Sequence, residues 1–142
     1  IFYAWAGVKT ELEGLETDYF AFADLDSVFD FYTPVIIANN TFLAEEPETA
    51  RAFLDAVSRG YEFAIEHPQE AGEILCKAAP ELDPDLVKAS QEYLADKYQA
   101  DAPQWGYIDQ ERWDAYYAWL NEKGLTETPI EAGTGCSNEY LP

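Results

Sequence analysis

The sequence has no methionine, a single histidine and only 8 lysine and arginine residues, against 28 aspartate and glutamate residues. The formal net charge is −20. Binding to nucleic acid requires basic patches, and an anionic membrane surface repels a chain of this charge, so neither is an expected partner. The charge indicates an acidic, well-solvated surface with a mild preference for neutral or cationic ligands.

Cysteine and histidine are also too scarce for a familiar metal site. Cys76 and Cys136 lack the close spacing of zinc or redox motifs, and the only histidine is His67. An exported location would permit a disulfide, and the sequence leaves open whether the two cysteines meet; we expect two unpaired thiols. The chain also lacks a phosphate-binding glycine loop and a nucleophile elbow. The sequence therefore predicts no metal, no cofactor and no catalytic residue.

Long apolar runs are absent as well, since none approaches the roughly 20 residues that a membrane-spanning helix needs. Apolar residues still make up 48% of the chain and are spread over its length, which is typical of a globular domain. The chain starts at Ile1, inside a segment with the pattern of a strand. We therefore expect a processed product or a fragment. Its open strand edges would then be covered by self-association or lost in a rearranged, more helical packing.

Three short segments have the pattern of strands, at residues 1–3, 18–23 and 33–38. Val8 and Leu12 predict a short helix that ends at Gly14. Residues 24–30 are polar and predict a turn region.

The remainder of the chain has helical periodicity. Capping and breaking residues bound the predicted helices at Asn40, Pro47, His67–Pro68, Pro80, Asp83–Pro84, Asp109 and Gly124. The helix that starts at Asp83–Pro84 is predicted to run through Tyr98. One face of the last helix is predicted to be core, and its residues are Trp113, Tyr116, Tyr117 and Leu120. The predicted fold class is α/β, with few strands followed by several helices.

Several short runs occur in a characteristic order. They are Phe2-Tyr-Ala-Trp-Ala-Gly7, Asp30-Phe-Tyr-Thr-Pro-Val-Ile-Ile-Ala38, Arg51-Ala-Phe-Leu54, Arg59-Gly-Tyr61, Trp105-Gly106, Arg112-Trp113 and the closing residues 134–142. Together they resemble the thiamine-pyrimidine-type (NMT1/THI5-like) substrate-binding proteins. That family also includes sulfonate- and nitrate-type binding proteins and a pyrimidine-synthesising enzyme.

The resemblance implies part of a type II periplasmic-binding-protein fold, in which two lobes close on a ligand about a hinge. Residues 1–24 would be the remainder of the second lobe with its crossover strand. Residues 25–125 would form the mainly helical, carboxyl-terminal part of the first lobe, and residues 126–142 a tail.

The resemblance also implies a function without chemistry. The protein would be the extracytoplasmic solute-binding component of an ABC importer, with a small heteroaromatic nutrient such as a thiamine pyrimidine precursor as its ligand. Its partners would be that small molecule and a permease. Contact with a membrane would occur only through a lipid anchor outside the present sequence.

A flat heterocycle needs aromatic faces and a few fixed polar groups. Tyr3, Trp5 and Tyr32 are the candidate aromatic contacts, and Gly7 would allow close approach of the backbone. Asp24, like Asp30, could accept a hydrogen bond from an aminopyrimidine. The alternatives are core packing for the aromatic residues and turn formation for the aspartates.

Two other functions remain open at this stage. A sulfonate or nitrate ligand is disfavoured because the three arginines lie on predicted helices far in sequence from the candidate contacts; they are Arg51, Arg59 and Arg112. A pyrimidine-synthesis enzyme is disfavoured because nothing in the chain supplies its catalytic motif.

Overall fold

The computed structural model describes residues 1–142, and its regular elements are all helical, with no β-strand. A π-helical turn, Tyr3–Gly7, leads into the first α-helix, and a 3₁₀ turn, Ser27–Phe29, follows the second. The α-helices are α1 (Val8–Leu12), α2 (Phe22–Leu25), α3 (Asn40–Glu45), α4 (Pro47–Glu66), α5 (Pro68–Ala78), α6 (Pro84–Ala95) and α7 (Gln110–Glu122). The prediction of several helices is confirmed.

The three predicted strands are absent. Residues 1–3 lead into the π-helical turn, residues 18–23 run into α2, and residues 33–38 contain no regular element. A strand is stabilised by hydrogen bonds to a neighbouring strand, and this chain offers none to any of the three segments. Their apolar side chains consequently stay exposed, and Ile37 keeps 87% of its surface in solvent.

The longest helix, α4, begins at Pro47 and ends at Glu66, close to the predicted bounds. Proline suits the first turn because its missing N–H would have no partner there. The end follows from Pro68, which disfavours helical angles at His67. None of the helices, α4 included, combines the length and the apolar character needed to cross a membrane.

Two compact units make up the chain, and the first comprises residues 1–18 and 53–105. Its centre is the packing of α5 on α6, where Val87 keeps only 2% of its surface exposed. The helices lie close together at Gly72 of α5, where an added Cβ would be in ordinary van der Waals contact with the Lys88 backbone, at 3.5 Å. The π-helical turn and α1 also pack on α6 and bury Val8.

Helix α6 begins where the sequence predicts. Asp83 has extended backbone angles, and its carboxylate accepts a hydrogen bond of 3.0 Å from the N–H of Asp85. Pro84 occupies the first helical position. The helix ends at Ala95, earlier than the predicted Tyr98, and the following residues form a turn.

The second unit comprises residues 19–52 and 106–142 and is built around α7. Asp109 caps α7 by accepting a hydrogen bond of 2.8 Å from the Arg112 N–H, as predicted. After Gly124, the final residues are held by two asparagines. Asn121 bonds to both backbone groups of Ile130. Asn138 bonds to both backbone groups of Ile108.

The start of α3 differs by one residue from the prediction. Asn39, and not Asn40, is the cap, and its side-chain oxygen accepts a hydrogen bond of 2.8 Å from the Thr41 N–H. Two adjacent asparagines are equally good caps by composition, so the choice between them is made by the backbone angles.

Candidate ligand-binding site

A small aromatic cavity of about 150 Å³ lies in the second unit. Its walls come from two stretches of chain, and the lining residues are Phe31, Tyr32, Thr33, Trp113, Tyr116 and Tyr117. Helix α7 carries the last three at spacings of three and one, so that they fall on one side of the helix. The residues 31–33 supply the remaining wall.

The aromatic rings around the cavity are packed against one another. Phe31 stacks on Tyr116, with ring centroids 4.3 Å apart and planes inclined by 18°. Trp113 contacts Tyr117 at 5.0 Å. Such contacts fix the ring planes while leaving faces and edges open to the cavity. The arrangement suits a flat, apolar ring better than a compact hydrated ion.

The predicted core stripe of α7 is therefore not a sealed core. No residue of α7 is fully buried, and Trp113, Tyr116 and Tyr117 are half-buried around the cavity. The helical period identified the face correctly but could not show what covers it. Composition was the sequence signal that could have indicated a binding surface, because tyrosine and tryptophan combine an apolar body with a polar tip and are common at such surfaces.

Tyr32 lines this cavity, and both its ring and its hydroxyl group have partners. The Asp109 N–H donates a hydrogen bond of 2.9 Å to the Tyr32 hydroxyl oxygen. The Arg112 guanidinium lies over the Tyr32 ring, 4.3 Å from its centroid. Tyr32 is thus oriented by the first turn of α7.

Arg112 lies beside a candidate contact, so its separation in sequence is no argument against an anionic ligand. It is distant from Tyr32 in sequence, but the fold places its guanidinium on that ring. Asp30 pairs with this charge: one guanidinium nitrogen lies 2.5 Å from the Asp30 carboxylate, and Nε donates to the Asp30 carbonyl oxygen. The cation beside the cavity therefore has a carboxylate partner.

A glycine-rich loop at residues 133–135 contacts the Trp113 indole ring. The indole N–H donates a hydrogen bond of 3.0 Å to the Thr134 carbonyl oxygen. The Gly133 N–H donates to the Asp114 carboxylate, and Gly135, with a φ of 84°, passes close to the indole ring. In the same loop, burial raises the pKa of the Cys136 thiol above its ordinary value. Cys136 and Cys76 are both free thiols.

Three of the predicted contacts, Tyr3, Trp5 and Gly7, lie in the first unit within the π-helical turn. The Tyr3 ring packs on Tyr93 of α6, with centroids 5.2 Å apart, and its hydroxyl group donates to Glu11. Gly7 is buried directly beneath that ring. Trp5 remains 41% exposed.

Asp24 is the fifth predicted contact and is exposed within the short helix α2 of the second unit. It is not among the residues that line the cavity. Its backbone N–H donates to the Ala21 carbonyl oxygen.

The first unit has a shallower groove of about 350 Å³, lined by Val57, Gly60, Tyr61, Ala64 and Tyr98. Trp105 stacks on Tyr61 at 4.4 Å, which makes it a loop anchor. Burial, together with the neighbouring Tyr61, raises the pKa of Tyr98. This groove has fewer aromatic walls than the cavity at Tyr32, so the cavity is the stronger candidate for a ring-shaped ligand.

The family described as NMT1/THI5 like matches residues 1–71, which is half of the chain. This stretch includes Tyr32 but ends before α7.

Individual relatives extend the similarity beyond that point. The chain is 29% identical over 84% of its length to a formylaminopyrimidine-binding protein from Halalkalibacterium halodurans. It is 24% identical over 95% of its length to a riboflavin-binding protein, RibY, from Chloroflexus aurantiacus. It is 36% identical over 78% of its length to a 4-amino-5-hydroxymethyl-2-methylpyrimidine phosphate synthase from Candida albicans. The chain spans only 37%, 39% and 31% of these three proteins.

Proposed function

The chain belongs to the NMT1/THI5-like family, and from this premise we propose that it is part of a solute-binding protein that captures a flat heteroaromatic nutrient. A thiamine pyrimidine precursor is the preferred ligand. The whole protein would have the type II periplasmic-binding-protein fold, and the present chain would supply one wall of its ligand cleft. The cavity at Tyr32 is the part of that wall that faces the ring.

The observation that carries this proposal is the aromatic lining of the cavity. Five of its six lining residues are aromatic, and the sixth, Thr33, offers a hydroxyl group. Stacking on aromatic faces with a few polar contacts is the usual way to bind a neutral ring. Two relatives bear the names of binding proteins for ring compounds, formylaminopyrimidine and riboflavin, which agrees with this chemistry.

The proposed cellular role follows from the binding role. We place the protein outside the cytoplasm, as the component that delivers its ligand to the permease of an ABC importer. Attachment to the membrane would be through a lipid anchor outside the present sequence. The acidic surface is compatible with a neutral ligand, because a charge of −20 does not oppose the approach of an uncharged ring.

An enzymatic role has less support. The relative named as a synthase shares 36% identity with the chain. A synthase needs acid–base or nucleophilic groups at its substrate, but the cavity is lined by aromatic rings and one threonine. The only histidine, His67, packs on Phe63 in α4. We therefore propose binding without chemistry.

Ligand binding is tested first with the full-length protein that contains this sequence. Calorimetry and thermal shift would use formylaminopyrimidine, 4-amino-5-hydroxymethyl-2-methylpyrimidine, riboflavin and an alkyl sulfonate. We expect micromolar or tighter binding of a ring compound and a raised melting temperature, since a ligand that binds only the folded state stabilises it. The 142-residue chain alone is expected to bind weakly or not at all.

The cavity itself is tested by Tyr117→Ala in the full-length protein. Loss of one stacking face should weaken binding of the ring about tenfold. Tyr107→Ala is the matched control, because Tyr107 is partly exposed and does not line the cavity. Equal losses from both variants would contradict the placement of the site. Binding of no ring, or conversion of the ring to a product, would contradict the proposed function.

A further inference from the structure

We propose that Asp30 makes the cavity selective for uncharged rings, because its carboxylate cancels the charge of Arg112. This inference deepens the proposed function and rests on it. It assigns to Asp30 a role in specificity: the site accepts a neutral heterocycle and discriminates against the same ring when it carries a phosphate or carboxylate group.

The first step is the position of the cation. Arg112 lies against the ring of Tyr32, at 4.3 Å from the ring centroid, and Tyr32 is a wall of the cavity. The neighbouring Trp113 is another wall. A ligand in the cavity would therefore be separated from the guanidinium group by the Tyr32 ring. That distance is comparable with the screening length of physiological salt, which is about 8 Å.

The second step is the partner of this cation. One Arg112 nitrogen lies 2.5 Å from the Asp30 carboxylate, and Nε donates to the carbonyl oxygen of the same residue. Asp30 is one residue before Phe31 and two before Tyr32, so the carboxylate that neutralises Arg112 is carried by the segment that forms the cavity wall. Both charges are partly exposed, at 38% for the Arg112 side chain and 58% for that of Asp30.

The third step is what the pair does to a ligand. An unpaired guanidinium group is a strong recognition element for phosphate and carboxylate groups. Paired with Asp30, it presents almost no net charge to the cavity and has two of its five N–H donors in use. The pair still fixes Tyr32, but its near-zero net charge attracts an anionic substituent far less than a lone guanidinium group would.

The test compares a neutral ring with its own phosphate ester. The probes are 4-amino-5-hydroxymethyl-2-methylpyrimidine and its phosphate, and riboflavin and its 5′-phosphate, measured by calorimetry with the full-length protein. Whichever of these two ring compounds the wild type binds, we expect it to bind that compound more tightly than its phosphate. Asp30→Asn should raise the affinity for the phosphate, relative to that for the neutral ring, about fivefold at low salt and less at high salt.

Two variants separate this effect from others. Asp101→Asn removes the same charge from an exposed position in the first unit and should leave both affinities unchanged. In Asp30→Asn/Arg112→Gln, the gain for the phosphate should disappear, because the cation is gone. Melting curves by circular dichroism would show that each variant remains folded.

The proposal is overturned if the folded Asp30→Asn variant binds the phosphate no better than the wild type does. It is also overturned if Asp101→Asn gives the same gain, because the effect would then be one of total charge. Equal binding of ring and phosphate by the wild type would contradict it while leaving the binding function intact. Binding of no ring at all would overturn the proposed function and this inference together.

Discussion

At the scale of single residues, Tyr3 and Gly7 depend on each other. The Tyr3 ring covers Gly7 and packs on Tyr93, and the Tyr3 hydroxyl group donates a hydrogen bond to the Glu11 carboxylate. A Cβ on residue 7 would lie 2.7 Å from two atoms of the Tyr3 ring, which is too close for van der Waals contact. Glycine is therefore required here because of a close approach, although its backbone angles are those of a helix.

Gly7→Ala should displace the Tyr3 ring and lower the free energy of unfolding by about 1–3 kcal/mol, the usual cost of overpacking. Urea denaturation would measure it. In a Tyr3→Ala background the cost of Gly7→Ala should largely vanish, because the clashing ring is gone. Additive effects of the two substitutions would contradict this account of Gly7.

At the scale of secondary structure, helix α6 illustrates an element whose start is fixed locally. The Asp83 carboxylate satisfies one of the free N–H groups of the first turn. Pro84 provides the helical φ angle at the next position. Because α6 carries Leu86 and Val87, which belong to the small set of buried apolar side chains in the first unit, its first turn contributes directly to the core.

Asp83→Ala should lower the free energy of unfolding by about 1 kcal/mol through loss of the cap. Glu81→Ala is the control. Glu81 is exposed just before the helix and is not the cap, so its replacement removes the same charge and leaves the cap in place. Chemical denaturation would compare them. A loss of equal size in both variants would show that charge, and not capping, is responsible.

At the scale of the whole molecule, the notable property is exposed apolar surface. The side chains of Phe20, Phe22, Leu25 and Ile37 each keep more than 60% of their surface in solvent. Phe20 and Phe22 contact each other edge to face at 5.8 Å. In the longer protein that we propose, other parts of the chain would cover such residues. The 142-residue chain leaves them open to association.

We therefore expect the 142-residue chain to self-associate at micromolar concentration. Size-exclusion chromatography with light scattering would measure the mass as a function of concentration. Phe20→Ser/Phe22→Ser should shift the distribution toward the monomer, while Lys9→Ser, a change at an exposed polar position, should not. A monodisperse monomer at all concentrations would contradict the expectation.

The amino-acid sequence by itself determined the features that depend on neighbouring residues. The bounds of α4, α5 and α7 follow from proline, an aspartate cap and Gly124, because the angles and hydrogen bonds of a helix end are set within one turn. The family was also recognisable from short runs in order. The exact start of α3 was not, since two adjacent asparagines compete for the cap.

Only the tertiary structure decided where distant residues meet. The predicted strands at residues 18–23 and 33–38 had suitable composition, but a strand also needs a neighbour, and the fold supplies none. The aromatic face of α7 lines a cavity because the segment at Tyr32 lies beside it. Asp30 and Arg112, which are 82 positions apart, form the ion pair next to that cavity. Pairings across such separations depend on how the chain packs, and no local pattern specifies them.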